Sequence, residues 1–390
     1  MDLPKVTTIP VVDPIKEIQL PHSKSILIRK LIYRFLYDNQ ILSVGCEEAE
    51  DVKIVWHNLR IIKENAGSTS LVAIEVKDCG AAYRFLLSVL AVTPGKWFLT
   101  GTEQLLRRPI QELCEVLTNI GACLEITANG IRINGNCLYA EKLTVDCSRS
   151  SQFASSLLLI GKKIGLQQLE IIPRQISSEG YIELTRKIIR EEENLTVNQI
   201  DAKAEADWSA AVYWYAKAVL NAPVTYRLKD LQLHSVQSDV IVASWFNLLG
   251  VTSCQKTNGL VIHSEKIAIT DLIVLPVDQN LDLVPVMACL ACVLPCRMIF
   301  KGVQNLSYKE SDRMGVIKEQ LAPYADIVLQ DNQTLSIRGK ENKQLGTLHF
   351  NPHQDHRFVM GFSLFSKIGT VEIDHFDCVK KSYPHFMKER

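Results

Sequence analysis

Five short stretches place cations, hydroxyls or small residues directly ahead of apolar, helix-like runs. They are Leu20-Pro21-His22-Ser23-Lys24-Ser25 with Arg29 beyond it, Asp78-Cys79-Gly80-Ala81-Ala82-Tyr83-Arg84, Arg107-Arg108-Pro109-Ile110, Ser148-Arg149-Ser150-Ser151-Gln152, and Tyr308-Lys309-Glu310-Ser311-Asp312-Arg313. A helix start offers N–H groups with no partner inside the helix, so it suits an anion. Ser25 and Arg29 stand four residues apart and share one helix face, where both can reach one phosphate. Arg107 and Arg108 precede a proline-initiated helix, and two guanidiniums there fit a carboxylate or a phosphate. Each stretch alone also has an ordinary structural reading as a helix cap, a tight turn, a surface basic pair or a solvated charged face. Two later stretches add to the set: His353-Gln354-Asp355-His356-Arg357 and Cys378-Val379-Lys380-Lys381-Ser382-Tyr383-Pro384. The two histidines give a metal only two ligands, and no third is evident.

The charge balance narrows the function. Lys and Arg total 43 and so do Asp and Glu, which leaves no basic excess for general binding to nucleic acid or membrane. The anion chemistry therefore rests on the local clusters. The 11 cysteines are scattered, odd in number and preceded by no secretory leader at Met1-Asp2-Leu3-Pro4-Lys5, which reads as reduced thiols in the cytosol. Cys289, Cys292 and Cys296 are separated by Leu, Ala, Val and Pro at helical spacing, so they read as small core residues and not as a cluster site. The apolar run from Leu283 to Val293 is too short to span a bilayer, which takes about 20 residues. No Gly-rich phosphate loop, dinucleotide fingerprint or zinc-peptidase motif occurs.

The elements that must position these clusters alternate in type. Helical periodicity marks Leu27 to Leu36, Tyr83 to Val92, Ile110 to Ile120, Gln152 to Ile160, Ala210 to Leu220, Val240 to Leu248 and Leu283 to Val293. Strand-like runs lie between them at Ser70 to Ile74, Trp97 to Thr100, Leu143 to Val145 and Leu169 to Ile172, which gives an α/β or α+β class. One rhythm recurs three times: a helix, a strand, a tight turn and a second strand. The turns fall at Asn129-Gly130, Asn258-Gly259 and Asp331-Asn332. That self-similarity suggests duplicated units of roughly 60–70 residues. With 390 residues the chain is too long for one core, so two domains are expected.

Taken together, the ordered motifs resemble the 3-phosphoshikimate 1-carboxyvinyltransferase (EPSP synthase) family almost end to end. The resemblance is carried by Leu20-Pro21-x-Ser23-Lys24-Ser25 with Arg29, Gly80-Ala81-Ala82-Tyr83-Arg84, Arg108-Pro109-Ile110, Ser150-Ser151-Gln152-Phe153, Asn280-Leu281-Asp282-Leu283-Val284-Pro285, Lys309-Glu310-Ser311-Asp312-Arg313, Asp355-His356-Arg357 and Lys381-Ser382-Tyr383-Pro384. It implies a two-domain inside-out α/β barrel with three βαβαββ repeats per domain. Residues 1–20 plus 207–390 would form domain 1 and residues 21–206 domain 2, with the active-site cleft between them. It also implies transfer of the enolpyruvyl group of phosphoenolpyruvate to the 5-hydroxyl of 3-phosphoshikimate by addition and elimination, with no metal and no organic cofactor. The expected protein is a cytoplasmic monomer of the shikimate pathway that meets two small-molecule substrates and neither nucleic acid nor membrane.

The family's roles carry over to matching positions. Lys24, Ser25, Arg29, Ser150, Ser151, Gln152, Ser178, Tyr181, Asp282, Asn305 and Lys309 would hold 3-phosphoshikimate. Lys24, Gly80, Arg108, Gln152, Arg313, Arg357 and Lys381 would hold phosphoenolpyruvate. Asp282 would accept the hydroxyl proton, and Glu310, supported by Lys24, would move a proton at the methylene carbon. His22 stands where the family usually has Gly, and Leu27-Ile28 replaces Ser-Asn. Asp78 and Ala81 add a charge and remove a hydroxyl beside the phosphoenolpyruvate residues. Two rivals stay open. The UDP-N-acetylglucosamine enolpyruvyl transferase has a similar fold but lacks the Ser-Lys-Ser and Arg set. A non-catalytic relative that binds an anion as a sensor is the other.

Overall fold

The computed structural model describes residues 15–174, 176–195, 204–266, 270–341 and 345–389. The leader reading at Met1 to Lys5 lies outside them. The chain divides into two compact units, one of residues 24–204 and one of residues 1–23 with 205–390. Each unit has its own apolar core.

In the unit of residues 24–204, a four-stranded sheet runs in the order Leu71–Glu75, Gly95–Thr100, Gly130–Gly135, Cys123–Thr127. The first two strands are parallel, and the helix Gly80–Ala91 crosses between them. The last two form an antiparallel hairpin after the helix Gln111–Asn119. This is one βαβαββ unit. A shortened version follows, with parallel strands Lys142–Asp146 and Gln168–Ile172 joined by the helix Gln152–Ile164. Helices Lys24–Asp38, Glu50–Asn65 and Gly180–Asn194 complete the unit. The helix Lys24–Asp38 buries Ile26, Leu27, Ile28, Leu31 and Ile32, so its apolar surface goes nearly all the way round. Arg29 is carried into the interior with them.

The other unit repeats the plan twice. One sheet runs Lys16–Ile18, Val224–Leu228, Gly259–Ser264, Val251–Lys256, with the helix Trp208–Leu220 leading into its second strand. The next runs Leu272–Pro276, Arg297–Lys301, Thr334–Gly339, Ala325–Gln330, crossed by the helix Val284–Val293. A short parallel pair, Thr347–Phe350 with Thr370–Ile373, encloses the helix His356–Phe362. Cys289, Cys292 and Cys296 are buried in this core, in keeping with their apolar neighbours. The helix expected from Val240 to Leu248 is divided into a 3₁₀ turn, Ser238–Ile241, and an α-helix, Val242–Asn247. The buried Asp239 holds that first turn to Ser209 and Asn280, and a tightened turn at a helix start is a common way to meet such a demand. His22 bridges Ala206 in antiparallel fashion, with Ser23 N donating to Glu205 O at 2.9 Å and Asp207 N to Pro21 O at 2.9 Å.

The three hairpins read from the sequence are all present. In two of them the glycine is the first residue of the return strand, not the second residue of the turn. Gly130 pairs with Thr127 and Gly259 with Lys256. Their φ angles are +148° and +119°. A Cβ on Gly130 would lie 2.3 Å from the Leu99 carbonyl oxygen, and one on Gly259 would lie 2.3 Å from that of Leu228. The same clash at equivalent places shows why both copies need Gly. The third hairpin turns instead on Asp331 and Asn332, both left-handed, a conformation these two side chains tolerate. Gly130→Ala and Gly259→Ala should each lose about 1–3 kcal/mol in denaturant titration, because each forces the close strand apart. Wild-type stability in both would contradict this packing.

Candidate active site

Arg29 is 3% exposed, and every acceptor the fold gives it is neutral. Its Nε donates to Thr185 Oγ1 at 2.7 Å, Nη1 to the Ser25 carbonyl at 2.9 Å, and Nη2 to Ser155 Oγ at 3.4 Å and the Tyr181 carbonyl at 3.3 Å. The rings of Phe85 and Tyr181 lie 5.0 and 5.9 Å from the guanidinium carbon. Burial pulls the Arg29 pKa down to about 10, which still leaves it charged at neutral pH. Among the described residues no carboxylate pairs with it, so the fold buries an unbalanced cation, which is costly unless an anion arrives. Ser25, Arg29 and Tyr181 are thus gathered in one place. Ser178 is buried just before them with φ +62°, a strained conformation for Ser that often marks a binding site. Lys24, at the start of the same helix, forms a 2.7 Å ion pair with the buried Asp51.

The other anion-suited motifs of this unit meet around Arg84. Gly80 opens the helix Gly80–Ala91, whose N-cap is Cys79: its sulfur accepts from Ala82 N at 3.4 Å. A Cβ on Gly80 would lie 2.2 Å from Arg108 Nη1, so glycine is what lets that guanidinium reach the helix start. Arg84 donates from Nε and Nη2 to the Pro109 carbonyl at 3.1 and 2.9 Å, and from Nη1 to Gln152 Oε1 at 2.7 Å. Ser150 Oγ accepts from Gln152 N at 3.3 Å, and Ser151 is buried beside it.

In the unit of residues 1–23 and 205–390, charges are paired. Arg313 has no solvent exposure and holds three carboxylates: Asp355 on Nε at 2.8 Å, Asp282 on Nη1 at 2.9 Å and Glu310 on Nη2 at 2.9 Å. Nη1 also donates to the Leu281 carbonyl at 3.2 Å. Arg357 Nη2 lies 3.3 Å from Asp282 and Lys309 Nζ 3.5 Å from it. Three cations therefore meet three carboxylates. Asp282, Lys309 and Glu310 keep 17%, 19% and 20% of their side chains exposed, whereas Arg313 and Asp355 are sealed. Burial alone would raise the Asp282 pKa, but Lys309, Arg357 and Arg313 outweigh it and hold the carboxyl well below the ordinary range. Burial lowers Arg313, yet Asp355, Asp282 and Glu310 raise it further, so it is permanently charged. Asn305 stands at the start of the 3₁₀ turn Leu306–Tyr308 that leads into Lys309, and Lys381 is buried at the end of the 3₁₀ turn Phe376–Lys381.

Four side chains that hold this geometry were given no role by the sequence: Asp51, Arg84, Asp239 and Asp355. Arg84 and Asp355 lie inside motifs already singled out, and a charged residue within a largely apolar helix was the signal for Arg84. Asp51 and Asp239 sit in unremarkable text. Asp239 is 3% exposed and accepts from Asn280 Nδ2 at 2.9 Å and from Ser209 Oγ. Burial, then the charge of Asp282, push its carboxyl above the ordinary value against the help of those two donors. A raised acid gives stability that is complete below the unfolded pKa of about 3.9 and is lost as pH rises through the folded value. Asp239→Asn has no charge to acquire. Urea titrations should show its stability improving relative to wild type as pH rises above about 4, and a difference independent of pH would contradict the assignment.

The family model for EPSP synthase (3-phosphoshikimate 1-carboxyvinyltransferase) matches residues 16–389. A 3-phosphoshikimate 1-carboxyvinyltransferase of Bacteroides fragilis is 31% identical over 95% of this chain and 93% of its own length. One from Clostridium kluyveri is 26% identical over 96% of the chain and 93% of its own. Among solved structures, EPSP synthase from Acinetobacter baumannii superposes with a TM-score of 0.69 at 18% identity, covering 95% of this chain and 94% of that one. The enolpyruvyl transferase NikO from Streptomyces tendae does so with 0.65 at 12% identity, covering 96% and 93%. These two share the two-domain α/β enolpyruvyl transferase fold. The chain belongs to the EPSP synthase family.

Proposed function

We propose that this protein is a 3-phosphoshikimate 1-carboxyvinyltransferase that moves the enolpyruvyl group of phosphoenolpyruvate onto the 5-hydroxyl of 3-phosphoshikimate and releases phosphate. One observation carries the chemistry: Asp282 and Glu310 sit on separate nitrogens of one buried guanidinium, each partly open to solvent. Addition needs a base for the hydroxyl and an acid for the methylene carbon, and two carboxylates on one cation supply both. Asp282 takes the hydroxyl proton as the oxygen attacks C2 of phosphoenolpyruvate. Glu310 gives a proton to C3, forming the methyl group of a tetrahedral adduct. In elimination C3 returns a proton to Glu310, the double bond reforms and the C2–O bond to phosphate breaks, and the departing phosphate carries away the proton that Asp282 took.

The free-state charges say how the substrates prepare these groups. A carboxylate held below the ordinary range, as Asp282 is, is a weak base. Anionic substrates that draw Lys309 and Arg357 away from Asp282 raise its basicity, and a substrate carboxylate taking Glu310's place on Arg313 Nη2 lets Glu310 protonate. On the unit of residues 24–204, Lys24, Ser25, Arg29, Ser150, Ser151, Gln152, Ser178 and Tyr181 are the proposed ligands of 3-phosphoshikimate. Lys24, Gly80, Arg108 and Gln152 serve phosphoenolpyruvate. On the other unit Asp282, Asn305 and Lys309 serve the first substrate, and Arg313, Arg357 and Lys381 the second. Arg29 and Arg108 support this division, since neither has a carboxylate partner among the described residues. The free cysteines fit a reducing cytoplasm, and among the described residues no helix is long and apolar enough to cross a membrane. A monomer acting in the cytoplasm completes the reading. Purified protein should release phosphate only when both substrates are present. Binding of 3-phosphoshikimate without any turnover would overturn the assignment in favour of an anion sensor.

A further inference from the structure

Three of the anion-suited motifs converge on a side chain to which none of the substrate roles falls. We infer that Arg84 is a positioning residue that sets Gln152 and Arg108 for the phosphoenolpyruvate end of the reaction, a role that rests on the function proposed above. Arg84 is 2% exposed and occupies the second turn of the helix Gly80–Ala91. Its fork closes on the Pro109 carbonyl at 3.1 and 2.9 Å, which pins the Pro109–Ile110 peptide, one residue on from Arg108. Its remaining arm reaches Gln152 Oε1 at 2.7 Å. The backbone of the same residue is held as well: Ser156 Oγ donates to the Arg84 carbonyl at 2.8 Å. The Phe153 ring lies 5.6 Å from the guanidinium carbon. Outside this buried clasp, Arg149 and Glu112 join the same two segments by a 2.5 Å ion pair, with Arg149 42% exposed.

The chemistry of the fork fixes an orientation. A guanidinium only donates, so the Gln152 amide must present its oxygen to Arg84 and leave its Nε2–H donors for an anion. Reversed, the amide would set N–H against N–H inside and turn its oxygen toward the substrate's negative charge. One residue thus makes Gln152 a donor to substrate and places the backbone from which Arg108 reaches the space that Gly80 leaves. Lysine keeps the charge but has no planar fork, so it cannot hold the Pro109 carbonyl and the Gln152 amide at once.

The test is a double-mutant cycle of Arg84→Lys and Gln152→Ala, read as KM and kcat for phosphoenolpyruvate, with the crystal structure of Arg84→Lys alongside. Arg84→Lys should raise KM for phosphoenolpyruvate by about tenfold or more, since sub-ångström placement of ligands governs such steps. KM for 3-phosphoshikimate should change less, because Gln152 is only one of its proposed ligands and the others are held without the Arg84 side chain. The two substitutions together should cost less than the product of their separate effects, because one acts through the other. Gln152→Glu keeps an acceptor for Arg84 but loses the donors, so it should raise the same KM in a fully folded protein. An unchanged KM in Arg84→Lys or Gln152→Glu, or strictly multiplicative effects in the cycle, would overturn the inference. If the wild type shows no turnover, the functional reading fails, and the crystal structure decides this inference alone. A turned Gln152 amide or a displaced Pro109 carbonyl upholds it, and both groups in their wild-type places refute it.

Discussion

A guanidinium sealed from water must be balanced where it lies, and Arg313 meets that demand with three carboxylates at 2.8–2.9 Å. Much of its unit follows from this. Asp355 spends one oxygen on Arg313 and the other on the Arg357 backbone N–H at 3.0 Å, so it caps the helix His356–Phe362 while it neutralises the cation. That cap aims Arg357 at Asp282. Asp282 in turn is drawn by three cations, and its neighbour Asn280 ties the same loop to Asp239. Removing one partner of a buried pair costs about 3–5 kcal/mol, because a bare charge remains. The cluster is therefore rigid in its centre and adaptable only at Asp282, Glu310 and Lys309, where solvent still enters.

The unit of residues 24–204 solves the opposite problem. Among the described residues Arg29, as deeply buried, meets hydroxyls, carbonyls and two aromatic rings but no carboxylate, and Arg108 has no ion pair. Lys24 is neutralised by Asp51 and so is held in place without being exposed as a free charge. An unbalanced buried cation lowers stability unless an anion supplies the missing charge. Binding of a phosphate or carboxylate to this unit should then stabilise it by ordinary linkage.

Part of this was legible in the sequence because it depends on local pattern. The helix starts, the three hairpins and the motifs holding Lys24, Arg29, Gly80, Arg108, Gln152, Asp282, Glu310, Arg313 and Arg357 all lie in short runs with strong periodicity or turn chemistry. The Asn-Gly pairs mark the hairpins, but the strand carbonyl 2.3 Å from a would-be Cβ, which is what demands each glycine, is a long-range fact. The split of the helix expected from Val240 to Leu248 is likewise set by Ser209 and Asn280, which are distant in sequence. Asp51 and Asp239 stayed hidden for the same reason. A buried carboxylate in plain text announces itself only through partners 27 to 41 residues away. Arg313 was legible as a charge but not as a hub, since its motif gives no sign that every nitrogen faces protein.

The two open carboxylates on Arg313 divide the proton work in the proposed reaction. That division is tested most directly by the turnover number of Glu310→Gln, with the affinities of both substrates measured on the same protein. Gln keeps the size and an acceptor for Arg313 but has no proton to give to the methylene carbon. Glu310→Gln should show near-normal substrate binding and a turnover number reduced by about 10²-fold or more. A turnover number equal to that of the wild type would contradict that division.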